Sequence, residues 1–259
     1  MKFPIYQVDA FTDKLFGGNA AAVCPLEEWI PEELMQKIGE ENNLSETSFF
    51  VPKDDHFEIR WFTPVAEINL AGHPTLATGH VLFHHLNYPG DKIKFTSKGG
   101  ELVVSKTGNM ISLNFPSDKP TPTPGSSLLF EALGKEPVEL LAGRDLFAVY
   151  NSEQEILDLK PNFDTLKKVD CHAVIVTASG TDCDFVSRFF APRLGINEDP
   201  VTGSAHTALI PYWSERLGKR IMHAHQVSRR RGEIFCEFLG NRVIISGQAV
   251  TFFIGEISL

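Results

Sequence analysis

Apolar residues fall mostly in short alternating or clustered runs bounded by turn residues, the period-two signature of strands. In the first half such runs cover residues 3–9, 49–52, 57–63, 92–96, 101–105 and 110–115, between turns such as Ser97-Lys98-Gly99-Gly100 and Thr107-Gly108-Asn109. The second half repeats the style at 173–177, 184–191, 234–239, 242–246 and 249–254. A helical period is confined to three stretches. Residues 31–42 begin with a proline and carry Glu32 and Glu33 in the first turn, where the helix dipole favours them. Residues 74–85 and 201–217 are the other two. Many short strands and few helices predict an α+β fold.

The chain also repeats itself. Arg60-Trp61-Phe62-Thr63-Pro64 with Ile68-Asn69 matches Arg188-Phe189-Phe190-Ala191-Pro192 with Ile196-Asn197 at an offset of 128, close to half of the 259 residues. After a two-residue slip His73-Pro74 stands opposite Asp199-Pro200, each pair leading into small residues. Two related domains are expected, with a cleft between them as the natural ligand site. Residues 116–125 hold four prolines, Pro116, Pro120, Pro122 and Pro124, and read as the connection. The domains are then 1–116 and 126–259, joined by the proline-rich linker 117–125, with the last strand free to return to the first domain.

Charge narrows the partners. Twenty-four Lys and Arg against 33 Asp and Glu leave a formal charge of −9, which argues against nucleic acid or an anionic membrane surface as the main partner. No apolar run approaches the roughly 18–20 residues needed to span a bilayer, and residues 1–11 lack the zones of a signal peptide, so a cytoplasmic protein is expected. Cys24, Cys171, Cys183 and Cys236 are far apart and form no C-x-x-C pair, which disfavours both a disulfide framework and a thiolate zinc site.

Proton-transfer chemistry near neutral pH needs carboxyl and imidazole groups tuned by their surroundings. Glu46, His73 and Asp199 stand out by their settings, Asn43-Leu44-Ser45-Glu46-Thr47, Ala71-Gly72-His73-Pro74-Thr75 and Glu198-Asp199-Pro200-Val201-Thr202-Gly203-Ser204-Ala205-His206. Each also has a purely structural reading. Glu46 fits a surface position between a helix and a strand, and His73 and Asp199 fit helix caps. Their matched places in the repeat favour a site, because helix N-termini receive carboxylates and would aim the acid-base groups at one substrate.

These motifs, with Phe16-Gly17-Gly18-Asn19-Ala20-Ala21-Ala22-Val23 and Ser246-Gly247-Gln248-Ala249-Val250-Thr251, resemble those of the PhzF family, the phenazine-biosynthesis-like proteins related to the diaminopimelate epimerases. The resemblance spans essentially the whole chain. It implies a diaminopimelate epimerase-like fold: two pseudo-symmetric domains, each a mixed, mostly antiparallel barrel-like sheet around a central helix. It further implies a cofactor-independent isomerase that moves a proton between carbons of a small carboxylated metabolite. Glu46 would be general base and acid, with His73 and Asp199 orienting the substrate and relaying or stabilising its protons. Asn19, Gly72, Pro74, Thr75, Thr202, Gly203 and Ser204 would bind it, and a homodimer is implied as well. Where the family often has proline after Gly-Gly-Asn, this chain has Ala20.

Rival chemistries fare less well. Cysteine-based epimerisation needs cysteines in the two symmetric loops, and none of the four lies there. His80 and His84 have metal-ligand spacing, but Val81 stands where the zincin pattern requires Glu, so no metal site is expected. Thr202-Gly203-Ser204-Ala205-His206 is not a serine-hydrolase elbow. Racemisation by other residues and a non-catalytic metabolite-binding protein remain the alternatives.

Overall fold

In the computed structural model, which describes residues 1–259, the opening alternation becomes β1 (Lys2–Ala10), followed by β2 (Asn19–Pro25). Next come α1 (Glu32–Asn42), β3 (Glu46–Pro52), β4 (Phe57–Phe62) and the short β5 (Glu67–Ile68). Pro31 precedes the first turn of α1, and Asn43 ends the helix in the left-handed region at φ 48°. Then follow α2 (His73–His84), β6 (Lys92–Ser97), β7 (Gly100–Thr107) and β8 (Met110–Pro116). Ten of the twelve residues of α2 are buried, so the helix is enclosed on nearly all sides, and it packs on β1, β2, β3 and β7.

The second half repeats this order after an added short strand and helix, with two short helices in the place of α1. It runs β9 (Thr121–Pro122), α3 (Ser127–Leu133), β10 (Glu139–Ala142), β11 (Leu146–Val149), α4 (Glu153–Asp158), α5 (Phe163–Leu166), β12 (Val174–Ser179) and β13 (Phe185–Ala191). A 3-10 turn at Pro192–Leu194 leads to β14 (Ile196–Asp199), α6 (His206–Leu217), β15 (Ile221–Gln226), β16 (Gly232–Phe238) and β17 (Arg242–Gly247). The closing strand β18 (Ala249–Ser258) lies antiparallel to β1. By packing, the chain divides into Met1–Phe115 with Ile245–Leu259 and, separately, Pro116–Ile244.

Pairing in the first unit runs β1–β2 antiparallel, β2–β3 parallel, β3–β4 antiparallel, β4–β6 parallel, then β6–β7 and β7–β8 antiparallel. In the second it runs β10–β11 antiparallel, β11–β12 parallel, β12–β13 antiparallel, β13–β15 parallel and β15–β16 antiparallel. Both parallel pairs in each unit are bridged by helical crossovers, as parallel strands require. Each unit has its own core. Phe3, Met35, Phe49 and Phe62 are among the buried residues of the first, Leu129, Ile156, Val174 and Phe190 among those of the second.

Three expectations change. The helix expected over 201–217 starts only at His206, because Val201–Ala205 turn before entering it. Glu46 opens β3 and is not a surface connection residue. The proline-rich stretch is not a bare linker: Thr121 and Pro122 pair with Ala142 and Leu141 of β10.

Candidate active site

In the first unit three elements bring their ends together. Gly18, at φ 56°, turns the chain into β2 where an added Cβ would lie 2.0 Å from the Ala10 carbonyl oxygen, so only glycine fits there. Asn19, at the start of β2, is buried. Parallel pairing sets Ala21 beside Glu46, which places the first residue of β3 next to the start of β2. His73 heads α2, with Gly72 before it and Pro74 in the first turn, where a missing N–H is tolerated.

Their side chains form a connected chain. Ser45 Oγ donates to Asn19 Oδ1 at 3.2 Å, which turns the Asn19 amide nitrogen toward His73 Nδ1, also 3.2 Å away. The other ring nitrogen, Nε2, lies 3.1 Å from Glu46 Oε2. His73 Nε2 is fully buried and makes no aligned hydrogen bond, so a polar group introduced beside Glu46 would find it available. Burial pushes the His73 pKa down to about 3, against a smaller opposing effect of a hydrogen bond with the Ala20 backbone. The ring is therefore neutral at pH 7, and its contact with Glu46 is not an ion pair. The Thr75 hydroxyl is committed to the Ala71 carbonyl at 2.5 Å.

In the second unit the loop after β14 is stapled from a distant strand. Gln226, fully buried on β15, accepts from Thr202 N at 2.8 Å and donates to the Asp199 carbonyl at 2.8 Å and to Thr202 Oγ1 at 3.2 Å. Thr202 Oγ1 in turn donates to Asp199 Oδ2 at 2.5 Å. His206 Nδ1 lies 2.9 Å from the Thr202 carbonyl, and burial lowers the His206 pKa to about 4. Gly203 and Ser204 form the turn that enters α6. Gln226 and His206 carry no local signal as site residues, since their partners are set by strand pairing and by the turn.

The repeat is real in structure, but it does not pair His73 with Asp199. Arg60 grips both carboxylate oxygens of Glu67 at 2.7 Å, and Arg188 grips those of Glu198 at 2.8 and 3.0 Å. Each guanidinium lies over a phenylalanine, Phe62 and Phe190. The Arg–Glu spacing is 7 residues in the first bracket and 10 in the second, the 3-10 turn supplying the difference. Register agrees: Trp61 pairs with Ile68, and its counterpart Phe189 pairs with Asp199. Asp199 therefore occupies the place of Ile68, and carrying that offset onward sets Gly203 at the place of Gly72 and Ser204 at that of His73. The side-chain bonds Thr75–Ala71 and His206–Thr202 fall at the same offset.

Other candidate groups lie elsewhere. His80 and His85 both direct Nε2 at Thr251 Oγ1, at 2.9 and 2.7 Å. Cys24 and Cys236 are buried, and burial pushes both thiols up. The one grouping of three His, Cys, Asp or Glu side chains close enough to hold an ion, His223 with His225 and Glu233, uses none of the site residues. No helix is long and apolar enough to cross a membrane.

Known proteins match throughout. The family model described as phenazine biosynthesis-like protein matches residues 8–255. A protein of Pseudomonas aeruginosa named as an uncharacterized isomerase is 47% identical over 259 residues, with 100% of each chain covered. The crystal structure of a PhzF-family phenazine biosynthesis protein from Enterococcus faecalis superposes with TM-score 0.98 at 48% identity, 100% of both chains covered. A hydroxyproline epimerase from Agrobacterium vitis, 12% identical, superposes with TM-score 0.63 over 100% of this chain and 93% of its own. That last likeness concerns the fold, which is α+β and epimerase-like.

Proposed function

The chain belongs to the phenazine biosynthesis-like, PhzC-PhzF family, and from that premise we propose that it is an isomerase acting by acid-base chemistry at Glu46. Glu46 takes a proton from one carbon of a small carboxylated metabolite and returns it to another. The observation that carries this reading is the Ser45–Asn19–His73 chain, with Asn19 and His73 buried, ending 3.1 Å from the Glu46 carboxyl. A neutral imidazole with Nε2 uncommitted can hold a hydroxyl or carbonyl oxygen of the substrate beside that carboxyl as charge develops.

Binding falls to the remaining residues in this reading. Gly72, Pro74 and Thr75 bring the first turn of α2, with its outward backbone N–H groups, to a substrate carboxylate. In the second unit Asp199, Thr202, Gly203 and Ser204 are the candidate binding residues, with Asp199 held in place by Thr202 and Gln226. No step calls on a metal or an organic cofactor. Racemisation by paired cysteines gains no support, since Cys24 and Cys236 are buried with raised pKa and no cysteine lies near His73 or Asp199 in sequence.

The test is solvent exchange. Candidate carboxylated metabolites incubated with the protein in deuterium oxide should gain label, and Glu46→Gln should abolish that gain while leaving the circular dichroism and melting temperature near those of the parent. Undiminished exchange by Glu46→Gln defeats the mechanism. Interconversion of amino-acid enantiomers at full rate in that variant would point to racemisation by other residues.

A further inference from the structure

We propose that His223, His225 and Glu233 form a binding site for a divalent transition-metal ion of the zinc class, on the outer face of the β15–β16 hairpin. His223 and His225 are two apart on β15, so their side chains share one face, while Met222, Ala224 and Gln226 fill the buried face. Glu233 stands opposite His225 in the antiparallel register. One donor atom from each of the three lies within 4.8 Å of the other two, and His223 Nε2 is 2.8 Å from Glu233 Oε1.

The donor set selects the ion. Two imidazoles and one carboxylate suit zinc, nickel, cobalt or copper, and leave positions open for water or an added ligand. Metal–nitrogen bonds of about 2.0–2.1 Å at tetrahedral angles put donor atoms about 3.3 Å apart. The widest pair must therefore close by more than an ångström, which rotation of half-exposed side chains on a paired hairpin allows. His223 is already stacked on Phe235 at 4.9 Å between ring centroids, and its backbone N–H donates to Asp184 Oδ2 at 2.8 Å.

One neighbour opposes binding. Arg231 Nη2 lies 3.1 Å from His225 Nδ1, bringing a cation to the edge of the site. Its side chain is exposed and can swing away, so its removal should tighten the site. The first unit supplies a built-in control. Strand pairing puts Lys94, Thr96 and Glu101 of β6 and β7 at the places of His223, His225 and Glu233, and that trio cannot chelate such an ion.

The experiment is titration of the tag-free, chelator-stripped full chain with Zn(II) by calorimetry and with Co(II) by visible absorption. One equivalent should bind, with cobalt bands of a histidine-ligated ion. His223→Gln and Glu233→Gln should each weaken binding at least about tenfold, as even indirect changes to a metal site do. Arg231→Gln should strengthen it, an outcome that a merely damaged fold would not produce. Circular dichroism and melting temperature without metal verify that each variant is folded. Absence of saturable binding, or an affinity unchanged in folded His223→Gln, overturns the proposal. Activity is not the readout, so failure of the Glu46 mechanism leaves this result untouched.

Discussion

In the first unit the Arg60–Glu67 bracket is followed by a short loop and a helix whose first residue, His73, presents an uncommitted nitrogen beside Glu46. In the second unit the Arg188–Glu198 bracket is followed by Asp199, a turn and a later helix start, and the loop's polar groups are bonded to Gln226 and to each other. One scaffold thus carries a close Glu–His contact in one copy and a hydrogen-bonded polar loop in the other. Framework interactions recur at matching register, whereas the polar side chains around the two helix starts differ. The proposed function assigns proton transfer to Glu46 and His73, and binding to the Asp199 loop.

The division is tested most directly by comparing Glu46→Gln with Asp199→Asn. Loss of the proton-transferring group should lower kcat by roughly 10⁴-fold, the upper end for acid-base catalysis. Asp199→Asn retains an oxygen for Thr202 Oγ1, and should act mainly on KM with a kcat loss of no more than about 10²-fold. Equal kcat losses measured by steady-state kinetics would mean that both copies carry the chemistry.

Next in size is the framework. Arg188 holds Glu198 and also donates from Nη1 to the carbonyls of Ile156 and Leu159 at 3.0 and 2.9 Å. Arg188→Ala should destabilise the protein by about 1–3 kcal/mol in urea unfolding, the range for leaving partly buried acceptors of a charged donor unsatisfied. In Arg60→Ala, Glu67 keeps Lys98 Nζ at 2.5 Å, so the loss should be smaller. The reverse order would show that the two brackets are not energetic equivalents.

The framework was the legible part of the sequence. Arg60, Arg188 and their aromatic neighbours showed the duplication, and the motifs around Glu46 and His73 marked two side chains that the fold brings to 3.1 Å. The second loop was read less well because its geometry is not local. Residues 201–205 have the small and apolar composition of a helix start, yet Gln226, twenty-four residues away from Thr202, holds them out of the helix. β2 was missed because Ala20, Ala21 and Ala22 are helix formers that adopt a strand only through pairing with β1 and β3. β15 was missed because its buried face is Met222, Ala224 and Gln226, and a buried glutamine masks the alternation.

A smaller effect separates the hairpins beneath the two loops. Gly232 pairs with Gln226, and Gly100 pairs with Ser97 at the same place in the first unit. A Cβ on Gly232 would lie 2.2 Å from Val201 Cγ2, whereas one on Gly100 meets nothing within 4 Å. Gly232→Ala should therefore lower stability by about 1–3 kcal/mol and raise KM by shifting the Asp199 loop, with Val201→Ala restoring both. Gly100→Ala, at φ 109°, should suffer backbone strain with no change in KM. A KM unchanged in Gly232→Ala would detach this hairpin from the loop.

The smallest difference lies in pH dependence, where the two copies should behave alike. His73 and His206 are each held neutral by burial, with folded pKa values of about 3 and about 4 against an unfolded value of about 6.5. Between those values the unfolded chain binds more protons than the native one. The contribution of each neutral ring is thus complete above pH 6.5 and is lost as pH falls toward its folded pKa. Each ring should make unfolding free energy fall by about 1.4 kcal/mol per pH unit below 6.5. Urea unfolding at pH 7.0, 6.0 and 5.0 should give His206→Gln a slope shallower than the parent by that amount, and His73→Gln the same. Parallel slopes in parent and His206→Gln would mean that this ring takes up its proton in the native state. The second copy would then hold its loop through a charged histidine, and the likeness between the two helix starts would end at geometry.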